Sequence, residues 1–347
     1  AFRCVNPGRK NEAPALILHL AEFRLSPYNG QQLWVREKHS MMDLSALWNK
    51  MFVLFFCLIA GYLAAKAGVI NRESNKMFSK LIVCVTNPLQ IIASVLTGEH
   101  LLSNRDVLVL TLIVVLSYLA LIGASFFIPK LLRVRPAEAG VYRFMFIFSN
   151  VGFIGYPIVE SLFGPSAIFY VSLFVLFFQM FVWSYGVSLM RAEPRFRFTA
   201  AVLKKPCVIA ALAAYAFYLS GLGAPKVLYQ ATNYVGALTS PLAMLIIGCS
   251  LAQVSFRTVF GNWRIYLLSL IKLVLVPLAS FLLLRLFVTN ELLLGVVTVV
   301  MCMPVATNAA IISYECGADD TLASSGIFLS TLLSIVTLPL MMTLLFR

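Results

Sequence analysis

Two stretches have the residue types to hold a small charged molecule. One reads Phe148-Ser149-Asn150-Val151-Gly152-Phe153-Ile154-Gly155-Tyr156-Pro157, the other Met303-Pro304-Val305-Ala306-Thr307-Asn308. Each lies in a run without charge, residues 144–159 and 292–314. A mid-span proline with glycines nearby removes main-chain hydrogen bonds and invites a break in the helix. In hydrocarbon the freed N–H and C=O groups are tolerated only where protein or a water-filled cavity satisfies them. Exposed N-termini of half-helices offer amide donors and a partial positive charge, which suits a carboxylate or another anion. Asn150 and Asn308 add amide groups, with Gly155, Tyr156, Pro157, Pro304 and Thr307 around them. The chemistry is therefore binding rather than bond-making. The competing reading is structural, with each proline a packing kink and each asparagine an interhelical hydrogen bond.

Other polar residues interrupt apolar runs. Thr86-Asn87-Pro88 and Thr239-Ser240-Pro241 put hydroxyls and amides beside prolines, with Asn87 and Ser240 either lining a cavity or bonding at a kink. Lys272 is the basic residue deep in a span; an intramembrane charge points to function, by offsetting substrate charge, unless the side chain snorkels to the interface. Glu160 and Glu315 read as solvated helix ends or proton carriers, and the phenylalanines at 177, 178 and 181 as packing or lipid-facing residues. No HExxH, GxSxG or DDxxD pattern falls within the spans, so no enzyme chemistry is expected. The seven cysteines show no CxxC spacing and His19, His39 and His100 lie outside the spans, so neither a metal nor a cofactor is expected.

These residues need helices in a bilayer to position them. The chain has 347 residues, 61% hydrophobic and 12% charged, with a mean hydropathy of +0.90. A soluble domain is nearer half apolar and about 25% charged, so soluble enzymes and nucleic-acid modules are excluded despite the net charge of +13. Uncharged runs at 81–98, 107–129, 144–159, 161–190, 206–225, 227–256, 292–314 and 321–346 each suit a span; 44–65 and 265–284 qualify with one lysine apiece, making ten. The connections after spans one, three, five and seven hold fifteen Lys or Arg, and the opposite connections with the C-terminus hold four. Positive charge stays in the cytoplasm, so both termini are expected outside, in a multi-pass protein of the cytoplasmic membrane. Residues 1–41 carry many charges and no believable signal sequence, and are expected to be a non-native or upstream polar extension, with Met41, Met42 and Met51 as candidate starts.

A recurrent offset divides the rest. Thr86 and Thr239, Gly68 and Gly221, and Gly164 and Gly317 are each 153 residues apart, at corresponding places in a five-helix unit. The expectation is an all-α integral membrane protein of two five-helix repeats, 42–190 and 206–347, joined by a cytoplasmic loop at 191–205. An odd number of spans inverts the second copy, and inverted repeats are the mark of secondary transporters with a substrate site near the midplane. The two breaks do not superpose residue for residue, since the position 153 beyond Pro157 is Ala310.

In order and spacing, residues 42–347 resemble the auxin efflux carrier family in its short bacterial form. The resemblance is carried by Gly61-Tyr62-Leu63 through Gly68-Val69-Ile70, Asn87-Pro88, Ser149-Asn150 to Gly155-Tyr156-Pro157, Pro304 to Asn308, Tyr314-Glu315-Cys316-Gly317-Ala318-Asp319, and Leu329-Ser330-Thr331 through Leu338-Pro339. It implies ten helices in a scaffold and a transport domain, with crossover helices four and nine meeting at an anion site. The plant members export auxin, and the bacterial ones are associated with malate, malonate or similar carboxylates. The connection at 191–205 is short where the plant carriers have a large regulatory loop. The related bile-acid carriers bind sodium, and a coupling proton or sodium ion and a homodimer are partners this reading admits. The leading expectation is a secondary transporter of a small organic anion working by alternating access. The alternatives are a membrane sensor that binds such a ligand without moving it, and a sodium-coupled symporter of the bile-acid type.

Overall fold

The computed structural model describes residues 44–97, 102–191, 203–252 and 261–346. The expectations for residues 1–41, for the three histidines and for most of the 191–205 loop lie outside them. The described residues are helical and contain no strand. In chain order the helices are α1 (Leu44–Lys66), α2 (Glu73–Leu96), α3 (Asn104–Ser125), α4 (Ala139–Ile147), α5 (Val151–Phe163), α6 (Pro165–Met190), α7 (Pro206–Ser220), α8 (Lys226–Ala252), α9 (Trp263–Arg285), α10 (Glu291–Met301), α11 (Asn308–Cys316) and α12 (Asp320–Leu345). Of these, α2, α3, α6, α8, α9 and α12 are long and apolar enough to cross a bilayer. Shorter apolar helices include α5, α7 and α10. The chain is a multi-pass membrane protein.

Short polar side chains start the helices by taking otherwise unpaired N–H groups. Asn71 accepts from the Ser74 amide, Ser103 from Asp106, Asn262 from Arg264, Asn290 from Leu292 and Leu293, and Asp319 from Leu322. Helix α2 begins well before the uncharged run at residue 81, because its first turns are amphipathic and lie where lysines can stay solvated. Gly221 and Gly317 close α7 and α11 with φ of 66° and 70°, a left-handed turn open to residues without a Cβ. The glycines 153 residues before them, Gly68 and Gly164, also have positive φ.

Prolines shape the long helices through π turns. The wide turns at Ile82–Thr86, Val151–Gly155 and Ile271–Leu275 each end two residues before a proline, Pro88, Pro157 and Pro277. Proline lacks the N–H and its ring crowds the carbonyl four residues back. A π turn moves that carbonyl aside and lets the helix continue.

Glycines set the closest packing. A Cβ on Gly61 would collide with the Leu245 main chain, and one on Gly248 with the Leu58 carbonyl, so α1 lies backbone to backbone on the second half of α8. Gly236 brings the first half of α8 within a Cβ distance of 2.7 Å from Gln90 Cα on α2. Helix α7 packs on the second half of α2, and α6 is the most enclosed of the long helices. Rows of outward apolar residues, such as Leu108, Leu112, Leu116 and Leu119 on α3, face the surroundings as lipid-facing helices do.

Candidate functional site

Helix α4 ends at Ile147, α5 starts at Val151, α10 ends at Met301 and α11 starts at Asn308. The two interruptions touch. Ser149 and Val305 form an antiparallel bridge, in which the Asn150 amide donates to the Pro304 carbonyl at 2.8 Å and the Ala306 amide to the Phe148 carbonyl at 3.0 Å. Four helix ends thus converge on one buried crossing. The amide of Val305 donates to Ser330 Oγ of α12 at 3.1 Å, which satisfies a further main-chain group.

The break in the first stretch lies at residues 148–150, ahead of Pro157. Pro157 stands inside α5, where the π turn accommodates it, so the extended residues around Ser149 interrupt the helix rather than the proline. In the second stretch Pro304 lies within the interruption itself.

Asn150 is 4% exposed and caps α5. Its Oδ1 accepts from the Phe153 amide at 3.2 Å, which fixes the orientation of the side-chain amide. The Nδ2 group has no acceptor, so a buried two-hydrogen donor is left open at the crossing. Gly155, Tyr156 and Pro157 follow in α5, all buried, and the Tyr156 hydroxyl is likewise without a partner. Thr307 and Asn308 open α11 and are partly exposed.

Lys272 is 2% exposed, so it does not snorkel. Its Nζ donates to the Phe146 carbonyl at 2.8 Å. In an unbroken helix that carbonyl would accept from the amide of residue 150, which here turns to Pro304. The Lys272 amino group therefore replaces the bond lost at the break, at the C-terminal end of α4. The sequence marked Lys272 as deep in a span but gave no sign of this partner.

Asn87 and Ser240 are not at the crossing. They lie where α2 meets α8, beside a hydrogen bond of 2.9 Å from Thr239 Oγ1 to Thr86 Oγ1. Ser240 Oγ lies 3.5 Å and Gln90 Nε2 3.4 Å from Glu160 Oε2. Glu160 is thus gathered into a polar cluster on α5 rather than left as a solvated end. Phe178 packs edge-on to Phe148 and Phe181 stacks on Tyr118, which makes them packing residues.

Two crevices flank the crossing. One is lined by Ser117, Tyr118, Ser149, Val151 and Met301, the other by Leu58, Ile154, Ile158, Met244, Thr331 and Ser334. Each has room for about one water molecule. Ser330, Thr331 and Ser334 of α12 also face this region, and their signal in the sequence is a set of small hydroxyls within an otherwise apolar span. Among the described residues no group of His, Cys, Asp and Glu could hold a metal ion.

A family profile described as membrane transport protein matches residues 46–200 and 196–342. The chain belongs to this family, that of the auxin efflux carriers. The carrier is similar to an uncharacterised transporter of Methanothermobacter thermautotrophicus, 27% identical over 292 residues that span 82% of this chain and 93% of the relative. It is also similar to an uncharacterised transporter of Methanocaldococcus jannaschii, 20% identical over 298 residues, 84% of this chain and 96% of the other. The carrier is a membrane transporter and not an enzyme.

Proposed function

We propose that the carrier moves a small organic anion, a carboxylate such as malate, malonate or an auxin-like acid, across the cytoplasmic membrane by alternating access. The observation that carries this reading is the open Nδ2 donor of Asn150, buried among converging half-helix ends. A carboxylate oxygen supplies the missing acceptor, and the N-terminal ends of α5 and α11 favour its charge. Asn308, Thr307 and Tyr156 complete the set of donors, and Lys272 acts on the anion through the end of α4 rather than by direct contact. Asn87 and Ser240 belong to the neighbouring α2–α8 contact.

The architecture we infer is ten spans in two inverted repeats, 42–190 and 206–347, with α4–α5 as the fourth span and α10–α11 as the ninth. In support, the positive-φ glycines form two pairs at the 153-residue offset, and the hydrogen-bonded Thr86 and Thr239 are a third. Both chain ends then lie outside and residues 191–205 inside. A cysteine placed in that loop should resist an impermeant thiol reagent added outside; ready labelling would reverse the orientation.

Transport is tested on purified carrier in proteoliposomes with labelled dicarboxylates and indole acids. Replacing Asn150 or Asn308 by Leu removes donors at similar size and should weaken substrate binding about tenfold to a hundredfold, the loss of roughly 1.5 to 3 kcal/mol for a hydrogen bond to a charged group. Unchanged affinity in both variants would remove the crossing from consideration as the site.

A further inference from the structure

Helix α12 carries four buried hydroxyls, those of Ser325, Ser330, Thr331 and Ser334. Within a helix such groups bond back to a carbonyl three or four residues earlier. Ser325 does so to Thr321 at 2.8 Å, Ser330 to Ile327 at 3.2 Å and Ser334 to Thr331 at 2.7 Å. Thr331 does not. It is 1% exposed and its Oγ1 has no partner. A buried hydroxyl left in this way is unfavourable until something outside the helix bonds to it.

The surroundings of Thr331 show what can reach it. It follows Ser330, whose Oγ accepts from the Val305 amide of the crossing. It lines the second crevice together with Leu54 and Leu58 of α1, Ile154 and Ile158 of α5 and Met244 of α8. Ile154 comes four residues after Asn150, about one turn along α5. One wall of the crevice therefore begins beside the open Asn150 Nδ2 donor, and another carries the open hydroxyl. Between them lie aliphatic side chains.

The lining also limits the charge that a ligand can bring. Neither crevice has a charged residue in its lining, and Lys272 is turned to the Phe146 carbonyl. A second carboxylate among Leu54, Leu58, Ile154 and Met244 would lose its hydration with no cation to replace it, the least favourable kind of burial. A neutral hydroxyl or carbonyl needs a single hydrogen bond, and a threonine hydroxyl serves as donor or as acceptor. The space, about that of one water molecule, suits such a group at the end of a short chain.

We infer that Thr331 sets the specificity of the carrier. The carried molecule is a short monocarboxylate with its carboxylate at Asn150, its methylenes against Leu58, Ile154 and Met244, and a neutral hydroxyl or carbonyl at the far end bonded to Thr331 Oγ1. The inference rests on the anion reading of the crossing and narrows it to acids with one charge.

Butyrate, 4-hydroxybutyrate and succinate share a four-carbon chain and differ at the far end alone. Each is titrated into the purified full-length carrier, and binding is read from the rise in the unfolding midpoint. In wild type, 4-hydroxybutyrate should half-saturate about tenfold below butyrate, and succinate at least about tenfold above it. Thr331→Val keeps the shape of the side chain and should bring 4-hydroxybutyrate and butyrate to the same value. The midpoint without ligand should not fall, because the hydroxyl has no bond to lose. Thr331→Ser should keep the preference. Equal half-saturation by butyrate and 4-hydroxybutyrate in wild type overturns the inference, as does succinate binding as tightly as 4-hydroxybutyrate, or a preference that survives Thr331→Val. If Thr331→Val does not fold, the wild-type order of the three acids decides alone. Asn150→Leu should weaken all three alike and leave their order. Binding without that order thus counts against Thr331 alone, whereas binding of none of the three overturns the anion reading and this inference with it.

Discussion

At the α2–α8 contact, two threonines 153 residues apart bond to each other across the helix interface. At the crossing of α4–α5 with α10–α11, Ser149 and Val305 meet through a main-chain bridge that interrupts both helices. The first arrangement uses donor and acceptor on one another. The second satisfies the main chain with Pro304, Phe148, Ser330 and Lys272 and leaves the Asn150 Nδ2 donor open. A matched pair holds two helices in place, and an unmatched buried donor is costly unless a ligand uses it. The difference teaches that a buried polar side chain spent on another side chain marks architecture, while one left without a partner marks a place where a ligand can bind.

The largest effect should come from Asn150→Asp. Aspartate caps a helix about as well as asparagine, so the Phe153 amide keeps its acceptor and the unfolding temperature should change little. The open donor is replaced by an acceptor with negative charge, and substrate binding should fall by more than about a hundredfold, the equivalent of roughly 3 kcal/mol. Wild-type affinity in this variant would show that the Asn150 amide is architectural, like Thr86 and Thr239.

Lys272→Met comes next. It removes the donor from the Phe146 carbonyl but also relieves the burial of a polar nitrogen, two terms that oppose each other in stability. Transport should drop at least tenfold while the unfolding midpoint stays within a few degrees of wild type. A large fall in the midpoint with normal transport in the surviving protein would assign Lys272 to scaffolding alone.

The smallest effect belongs to the threonine pair. Thr86→Val and Thr239→Val each remove one side of an interhelical hydrogen bond, a class of interaction that averages about 0.6 kcal/mol in membrane helices. A double-mutant cycle read by unfolding should return a coupling of that size with transport kinetics unchanged. A several-fold change in substrate affinity would move the α2–α8 contact into the substrate site and erase the contrast drawn above.

How far the site was legible varies with the residue. Asn150 and Asn308 could be picked out because amides within uncharged runs are rare and because glycines and prolines surround them. The position of the first break could not be read, since Pro157 is the stronger breaker by composition. The π turn at Val151–Gly155 absorbs it, and the helix yields at Ser149, where a second extended segment supplies hydrogen-bond partners. Glu160 reads as a loop-facing end because Gln90 and Ser240 are 70 and 80 residues away from it.

What the amino-acid sequence determined by itself is the membrane environment, the order of the helical segments and the places where turns close them. These follow from local properties: apolar run length, the absence of charge, Asn, Ser and Asp as caps, and glycine at left-handed turns. Only the tertiary structure decided what the buried polar atoms do. It joins Ser149 to Val305, gives the Phe146 carbonyl to Lys272, and leaves Asn150 Nδ2 and Gln90 Oε1 without partners. Such outcomes depend on which distant segments pack side by side, and in a low-dielectric interior a difference of one hydrogen bond separates a structural residue from a binding one.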